Sequence, residues 1–224
     1  MTTVIFVRHG ESESNWFIHQ DRNDPELSNK INALGDPNLT DQGRQQAECV
    51  GGYLYERLKG QNVRVFTSPF ARTFQTSKPF VEKMEDDSIL SKSLPILQEY
   101  TKPEKQLTED HLKRSIVHHK TWDDFTDNIR VFVDQLEDHC QENGHPIVIF
   151  GHSLYLSAMT SYLGSSKQTM PKKEQLVFRF PNCSITTFEF SQGNWRIFNV
   201  ASLAHLPNRI ITGVECSFGN TLEK

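Results

Sequence analysis

The sequence lacks the patterns that mark disulfide-stabilised, zinc-binding and membrane-spanning proteins. Its four cysteines lie far apart and form no Cys-x-x-Cys pair, which argues against a zinc ribbon or a disulfide framework and indicates a reducing compartment. No apolar run approaches the roughly 20 residues of a transmembrane helix, and the N-terminus has no signal-peptide pattern. We therefore expect a cytoplasmic protein that does not bind membranes.

An excess of positive charge is also absent. The chain has 24 Lys and Arg residues against 28 Asp and Glu residues, a formal net charge of −4. This balance gives no general attraction for nucleic acid, so we expect no nucleic-acid partner. With 224 residues the chain can bury one substantial core, which predicts a single domain over residues 1–224. The sequence does not indicate the oligomeric state.

Two short apolar runs each lead directly into a histidine. Residues 4–7 precede Arg8-His9-Gly10, and residues 147–150 precede Gly151-His152-Ser153. Continuous β-branched and aromatic runs are typical of strands buried on both faces of a parallel sheet. Ligands of open α/β sheets bind beyond the carboxyl ends of such strands, so the pattern predicts that His9 and His152 meet in one site.

Helix-like and strand-like patterns alternate along the chain, which predicts an α/β fold with a doubly wound, mostly parallel sheet and helices on both faces. Thr40 is a predicted N-cap for a helix over 40–59 that Gly60 ends, and Ser68-Pro69 is predicted to begin another helix. A polar stretch over 17–38 is predicted to be a long loop. Further helices are predicted over 122–140 and 154–163, and Gly144-His145-Pro146 is predicted to stop the first of them. Strands are predicted over 63–67, 94–97, 176–180, 184–190 and 195–200.

The segment near 100–120 is charged and has no clean period, which predicts a lid-like excursion outside the core layers. It includes the adjacent histidines His118 and His119. Adjacent residues point in different directions on a regular element, and no neighbouring carboxylates complete a metal triad. We therefore expect this pair to form part of a solvated surface.

Five motifs occur in an order that resembles the histidine phosphatase superfamily, the phosphoglycerate mutase-like proteins. The resemblance spans about residues 4–155 and implies a doubly wound α/β sheet with the site at the carboxyl ends of its strands. The residues alone would allow His9 and His152 to exchange roles. The resemblance implies that His9 is the nucleophile. The motifs are Arg8-His9-Gly10-Glu11-Ser12, Leu39-Thr40-x-x-Gly43-x-x-Gln46-Ala47, Ser68-x-x-x-Arg72-Thr73-x-Gln75-Thr76, Glu99 and Gly151-His152-Ser153.

The residue types in these motifs suit phosphoryl transfer through a phosphohistidine. A neutral imidazole can approach a phosphate monoester whose oxygens are bound by cations, and Arg8 and Arg72 present planar donors that fit those oxygens. His152 can add donors or positive charge. Two arginines and a histidine can take the place of a metal ion, so we expect neither a metal nor a cofactor.

The remaining predicted site residues supply a proton or further hydrogen bonds. Glu99 is the best candidate for the acid that protonates the leaving oxygen and then activates water, and Glu11 is the second candidate. Ser12 and Asn15 match positions of the family that can donate to phosphate. The backbone N–H of Ser153 can do so at a helix start.

Three functions remain open at this point. The first is a phosphatase acting on a phosphorylated small molecule or a phosphoprotein. The second is a phosphoglycerate mutase, although such enzymes usually continue from the glutamate with Arg-His-Tyr-Gly, whereas here Glu99 is followed by Tyr100-Thr101-Lys102-Pro103. The third is a module that binds phosphate without turnover, which would need no nucleophile and proton donor together.

Overall fold

The computed structural model describes residues 1–20, 25–84, 88–100, 119, 121–176 and 178–214, and within them the chain forms one mixed six-stranded sheet. The strands are β1 (Thr2–Arg8), β2 (Val63–Thr67), β3 (Ile89–Ser93), β4 (Ile147–Gly151), β5 (Ile185–Ser191) and β6 (Asn194–Ser202). Their order is β3-β2-β4-β1-β5-β6. The pairs from β3 to β1 are parallel, and β5 is antiparallel to both of its neighbours. The predicted mostly parallel α/β sheet is confirmed.

Helices cover both faces of this sheet. Successive β1 side chains point to opposite sides, and over residues 4–7 both sets are apolar and buried. Val4 and Phe6 pack in one core cluster and Ile5 and Val7 in the other. The first cluster includes residues of α5 and α6, and the second includes residues of α3 and α4. The helices are α1 (Glu13–Gln20), α2 (Leu27–Ala33), α3 (Asp41–Leu58), α4 (Ala71–Lys83), α5 (Trp122–Asn143) and α6 (Ser153–Gly164).

Helix ends confirm the capping signals in the sequence. The Thr40 hydroxyl accepts a hydrogen bond from the Gly43 N–H at 3.0 Å, which satisfies one of the donors left free at the start of α3. Gly144 ends α5 in the left-handed conformation, with φ of 64°. Both signals are local, so the sequence alone was enough to place them.

Four predicted elements differ from the structure. The stretch 17–38, predicted as a loop, holds the end of α1 and all of α2. The strand predicted over 94–97 is a 3₁₀ turn over Pro95–Leu97, because Pro95 has no N–H to donate to a sheet, and the strand beside β2 lies earlier, over Ile89–Ser93. The described residues of 176–180 form no strand. Helix α4 starts at Ala71, so Pro69 precedes its first turn.

The predicted excursion near 100–120 lies outside the described residues except for its first residue, Tyr100, and His119. His119 was expected on a solvated surface, but it is buried at 3% exposure. Its ring stacks on Tyr100 at 5.8 Å between centroids and lies edge-on to Phe125 at 5.1 Å. Aromatic packing therefore fixes His119 against the start of α5.

No helix in the described part of the chain is long and apolar enough to cross a membrane.

Candidate active site

The register of β1 and β4 brings the two predicted histidines together. Arg8 pairs with Gly151 at the carboxyl ends of these parallel strands, and the His9 N–H donates to the Gly151 carbonyl at 2.9 Å. The next residue of each strand is a histidine, and the imidazole centroids of His9 and His152 lie 5.3 Å apart. The structure thus places the two rings next to each other, as the sequence predicts.

The His9 imidazole is held as a neutral ring with one nitrogen occupied. Its Nδ1 lies 2.7 Å from the Gly10 carbonyl oxygen, which can only accept, so Nδ1 carries the proton and donates. Burial, together with the nearby Arg72 and Arg8 guanidinium groups, holds the pKa of His9 well below its usual range. The Nε2 lone pair is therefore available for attack at neutral pH.

Both nitrogens of His152 contact polar neighbours. Arg72 Nη2 lies 3.3 Å from Nδ1, and because a guanidinium can only donate, Nδ1 is the acceptor. Nε2 then carries the proton and donates to the Ser68 hydroxyl at 2.8 Å. Burial and Arg72 hold the pKa of His152 well below its usual range. His152 is thus a neutral donor in this structure, not a positive charge.

Two guanidinium groups flank His9, as predicted. Arg8 is buried and donates through Nη1 to the Phe180 carbonyl oxygen. Arg72 lies in the first turn of α4 with its guanidinium 4.3 Å from the centroid of the Phe70 ring, a cation–π contact. These contacts hold the two cations next to the imidazole.

Asp36 also supports Arg72, and sequence reasoning missed it. Its buried carboxylate accepts from the Ala71 N–H at 3.1 and 2.9 Å, and one oxygen lies 3.8 Å from Arg72 Nη1. The carboxylate therefore caps α4 and fixes the direction of Arg72. The Asp-Pro sequence before Leu39-Thr40 signals only a turn, so the local pattern gave no indication of this role.

Glu99 lies close to both arginines and is bound to the start of α6. Its carboxylate oxygens accept from the Leu154 N–H at 3.0 Å and the Tyr155 N–H at 3.1 Å. Burial raises the pKa of Glu99, while hydrogen bonds from the Leu154 and Tyr100 N–H groups and the charges of Arg72 and Arg8 oppose the rise. The structure brings Glu99 to the site, whereas the second candidate, Glu11, has its carboxylate bound to the Thr40 hydroxyl at 2.8 Å.

The predicted phosphate donors are arranged along the loop after β1 and at the start of α6. Asn15 Oδ1 accepts from the Ser12 N–H at 3.3 Å and from the Ser12 hydroxyl at 3.1 Å. Both Ser12 donors are therefore bonded to Asn15 in this structure. Ser153 is the first residue of α6, so its N–H has no acceptor inside the helix.

Glycine is required where this loop crosses α3. A Cβ on Gly10 would lie 2.7 Å from the Gly43 carbonyl oxygen, and a Cβ on Gly43 would lie 2.0 Å from the Glu11 carbonyl oxygen. Side chains at these positions would push the loop away from the helix. The two glycines therefore explain why the Arg-His-Gly and Leu-Thr-x-x-Gly motifs occur together.

Among the residues that the structure describes, no three His, Cys, Asp or Glu side chains form a group that could hold a metal ion. The polar groups that lie close together at this site belong to His9, His152, Arg8, Arg72 and Glu99. Such a set can bind and transfer a phosphoryl group through hydrogen bonds and charge.

The chain is similar to known proteins in sequence and in fold. A family model described as the histidine phosphatase superfamily (branch 1) matches residues 4–202. A 2,3-bisphosphoglycerate-dependent phosphoglycerate mutase from Bartonella henselae is 30% identical over 97 residues, which are 43% of this chain and 41% of that protein.

Two solved structures share the fold. One is the α-ribazole phosphatase from Shigella flexneri, with a TM-score of 0.61 and 16% identity over 90% of this chain and 96% of that chain. The other is a mycobacterial glucosyl-3-phosphoglycerate phosphatase in complex with VO3, with a TM-score of 0.63 and 18% identity over 90% of this chain and 100% of that chain. At these identities the likeness concerns the fold.

Proposed function

Since the chain belongs to branch 1 of the histidine phosphatase superfamily, we propose that it is a phosphomonoesterase that works through a phosphohistidine on His9. The observation that carries the proposal is the state of His9. Its Nδ1–H is bound to the Gly10 carbonyl, so its Nε2 lone pair is free beside two guanidinium groups and the half-buried acid Glu99.

In the first step, His9 Nε2 attacks phosphorus, and the bond between phosphorus and the ester oxygen breaks. Arg8 and Arg72 bind the equatorial oxygens, where charge accumulates in the transition state. The leaving oxygen takes its proton from Glu99, so an alcohol departs rather than an alkoxide. The product of this step is a phosphoryl group on His9.

In the second step, water attacks the phosphohistidine, and the bond between nitrogen and phosphorus breaks. Glu99, now a carboxylate, takes a proton from that water, and inorganic phosphate leaves. The two N–H groups at the start of α6 stabilise the carboxylate between the steps. Burial favours the acid form and the helix favours the carboxylate, which suits a group that must alternate between the two.

A phosphorylated small molecule is the proposed substrate class. The structural neighbours are named as phosphatases of α-ribazole and of glucosyl-3-phosphoglycerate. The arginines and histidines at the site here are groups that can bind the phosphate of such a molecule. A phosphoprotein remains the second substrate class.

Trapping the phosphoenzyme tests the proposal. The purified chain is mixed with p-nitrophenyl phosphate, quenched in alkali to preserve phosphohistidine, and analysed by mass spectrometry. We expect a phosphoryl group on His9 of the unmodified chain and none on His9→Ala. The control is His139→Ala, which should carry as much phosphoryl group as the unmodified chain, because His139 lies on α5 and contacts Arg64. A phosphoryl group that persists on His9→Ala would move the nucleophile to another residue.

The mutase relative gives a reason to test a second function. A phosphoglycerate mutase would convert 3-phosphoglycerate to 2-phosphoglycerate when primed with 2,3-bisphosphoglycerate. We expect release of inorganic phosphate without isomerisation, because water is then the acceptor of the phosphoryl group. Isomerisation that exceeds hydrolysis would favour the mutase.

A further inference from the structure

We infer that Asn182 is a positioning residue for phosphate binding, because it fixes the orientation of the Asn15 amide and supports the main chain of His9. The inference rests on the proposed function for its role in turnover. Its structural basis is a network of hydrogen bonds around the loop that follows β1.

Asn182 is fully buried in the turn before β5. Its Nδ2 donates to the His9 carbonyl at 3.2 Å and to Asn15 Oδ1 at 3.0 Å. The Cys183 N–H donates to the same His9 carbonyl at 3.2 Å. One amide group therefore connects the residue that attacks phosphorus with a residue that can bind its oxygens.

Groups of fixed chemistry determine the orientation of both amides. The His9 carbonyl can only accept, so the Asn182 atom that faces it is the nitrogen. The Ser12 N–H can only donate, so the Asn15 atom that faces it is the oxygen. The Asn15 oxygen is thus occupied, and its Nδ2, which makes no hydrogen bond with the described residues, is the branch that can donate to a phosphate.

The other side of Asn182 is bound to the C-terminal segment. The Thr212 hydroxyl donates to Asn182 Oδ1 at 3.3 Å, and the Asn182 N–H donates to the Thr212 carbonyl at 3.1 Å. Gln46 Nε2 donates to the Thr212 hydroxyl at 2.8 Å, and Gln46 Oε1 accepts from the Glu11 N–H at 2.8 Å. The network therefore leads back to the loop that follows β1. The Asn182 amide cannot rotate without breaking the hydrogen bonds of its Nδ2 and of its Oδ1.

Removal of the Asn182 side chain takes away one of the three donors that hold Asn15 Oδ1, the other two being the N–H and the hydroxyl of Ser12. The Asn15 amide is then held less firmly, and its Nδ2 is a less well directed donor to phosphate. The protein's affinity for inorganic phosphate should fall about tenfold in Asn182→Ala, a loss typical of one hydrogen bond to a charged group. Orthovanadate inhibition should weaken by a similar factor. The KM for p-nitrophenyl phosphate should change more than kcat, since the acid and the nucleophile remain.

A double-mutant cycle separates positioning from general damage. Affinity for inorganic phosphate is measured by calorimetry for the full chain, Asn15→Ala, Asn182→Ala and the double variant. If Asn182 acts through Asn15, the double variant binds phosphate within about twofold of Asn15→Ala. Losses that multiply, or an unchanged affinity in Asn182→Ala, would overturn the inference. Asn194→Ala, which removes an exposed amide at the first residue of β6, is the control and should bind as the unmodified chain does.

Thr212→Val provides the answer if Asn182→Ala does not fold. It preserves side-chain volume but removes the hydroxyl that donates to Asn182, and we expect phosphate affinity two- to threefold lower, with a cooperative unfolding transition. An unchanged affinity in this folded variant would overturn the inference. A chain that binds phosphate with the expected coupling but never turns over substrate would contradict the proposed function instead, so the two failures are distinguishable.

Discussion

Burial shifts the pKa of the proposed nucleophile and the pKa of the proposed acid in opposite directions. His9 stays neutral in mild acid because burial and two arginines lower its pKa, whereas Glu99 stays protonated to higher pH because burial raises its pKa. Attack requires neutral His9 and acidic Glu99 together. The rate of phosphoenzyme formation should therefore be greatest between the lowered pKa of His9 and the raised pKa of Glu99.

Glu99→Gln tests the acid at the level of a single residue. The substitution keeps the size and much of the hydrogen bonding but removes the proton, so an alkyl phosphate, with its poor leaving group, should lose roughly 100-fold or more in rate. An aryl phosphate such as p-nitrophenyl phosphate should lose far less, and the fall in rate at higher pH should disappear. Rapid-quench measurements on both esters check this. Equal losses for the two esters would indicate a positional role.

Arg72 provides the corresponding test for charge. Its planar group contacts Phe70, Asp36 and His152, and an ammonium cannot reproduce that geometry. We expect Arg72→Lys to lower kcat/KM roughly 100-fold, while Arg57→Lys on the exposed side of α3 has little effect. The activity that each of these two variants retains should also survive EDTA. Loss in chelator that divalent ions restore would show that the arginines are not sufficient.

At the scale of elements, the contact between α3 and the loop after β1 depends on a glycine in each element, Gly43 and Gly10. Gly43 has no room for a Cβ, whereas a Cβ on Gly52 in the same helix would meet nothing within 4 Å. Gly43→Ala should therefore lower the free energy of unfolding by more than about 2 kcal/mol and reduce activity. Gly52→Ala should raise it by about 0.5–1 kcal/mol through helix propensity. Urea unfolding of both variants is the measurement, and similar changes for the two would contradict the close contact.

Elements with local signals were predictable from sequence, and those that depend on distant partners were not. The Thr40 cap and the Gly144 stop depend on residues within one turn. The role of Asp36 depends on a hydrogen bond to a residue 35 positions away, and that of Asn182 on a bond that spans 173 positions. His9 and His152 were predictable despite their separation, because two similar strands that end in histidine imply a shared edge of a parallel sheet.

At the scale of the whole molecule, buried neutral histidines make stability depend on pH. Burial lowers the pKa of His205 to about 4, although its Nε2 hydrogen bond to the Cys183 carbonyl opposes the shift. Between pH 6.5 and 4 the unfolded chain binds more protons at this residue than the folded chain, so stability falls as the pH falls. His9 and His152 act in the same direction.

The contribution of His205 can be isolated by urea unfolding at pH 7, 6 and 5. In the unmodified chain His205 should contribute up to about 1.4 kcal/mol per pH unit, less because part of the ring is exposed. His205→Gln keeps a donor near the Cys183 carbonyl but does not titrate, so its stability should depend less steeply on pH. An equal pH dependence in the two proteins would show that His205 does not contribute.

The position of β1 between β4 and β5 has a consequence for biosynthesis. Val4 pairs with Ile147 on one side and with Phe188 on the other. At ribosomal rates of about 5–20 residues per second, roughly 140 further residues take about 7–30 s to appear, and β1 has no sheet neighbour during that time. Its four consecutive buried apolar residues are then open to chaperones and to other nascent chains. The strand that carries Arg8 and leads into His9 is thus synthesised well before the strands that flank it. A chain whose translation ends before β4 lacks His152 and cannot form the proposed phosphate site.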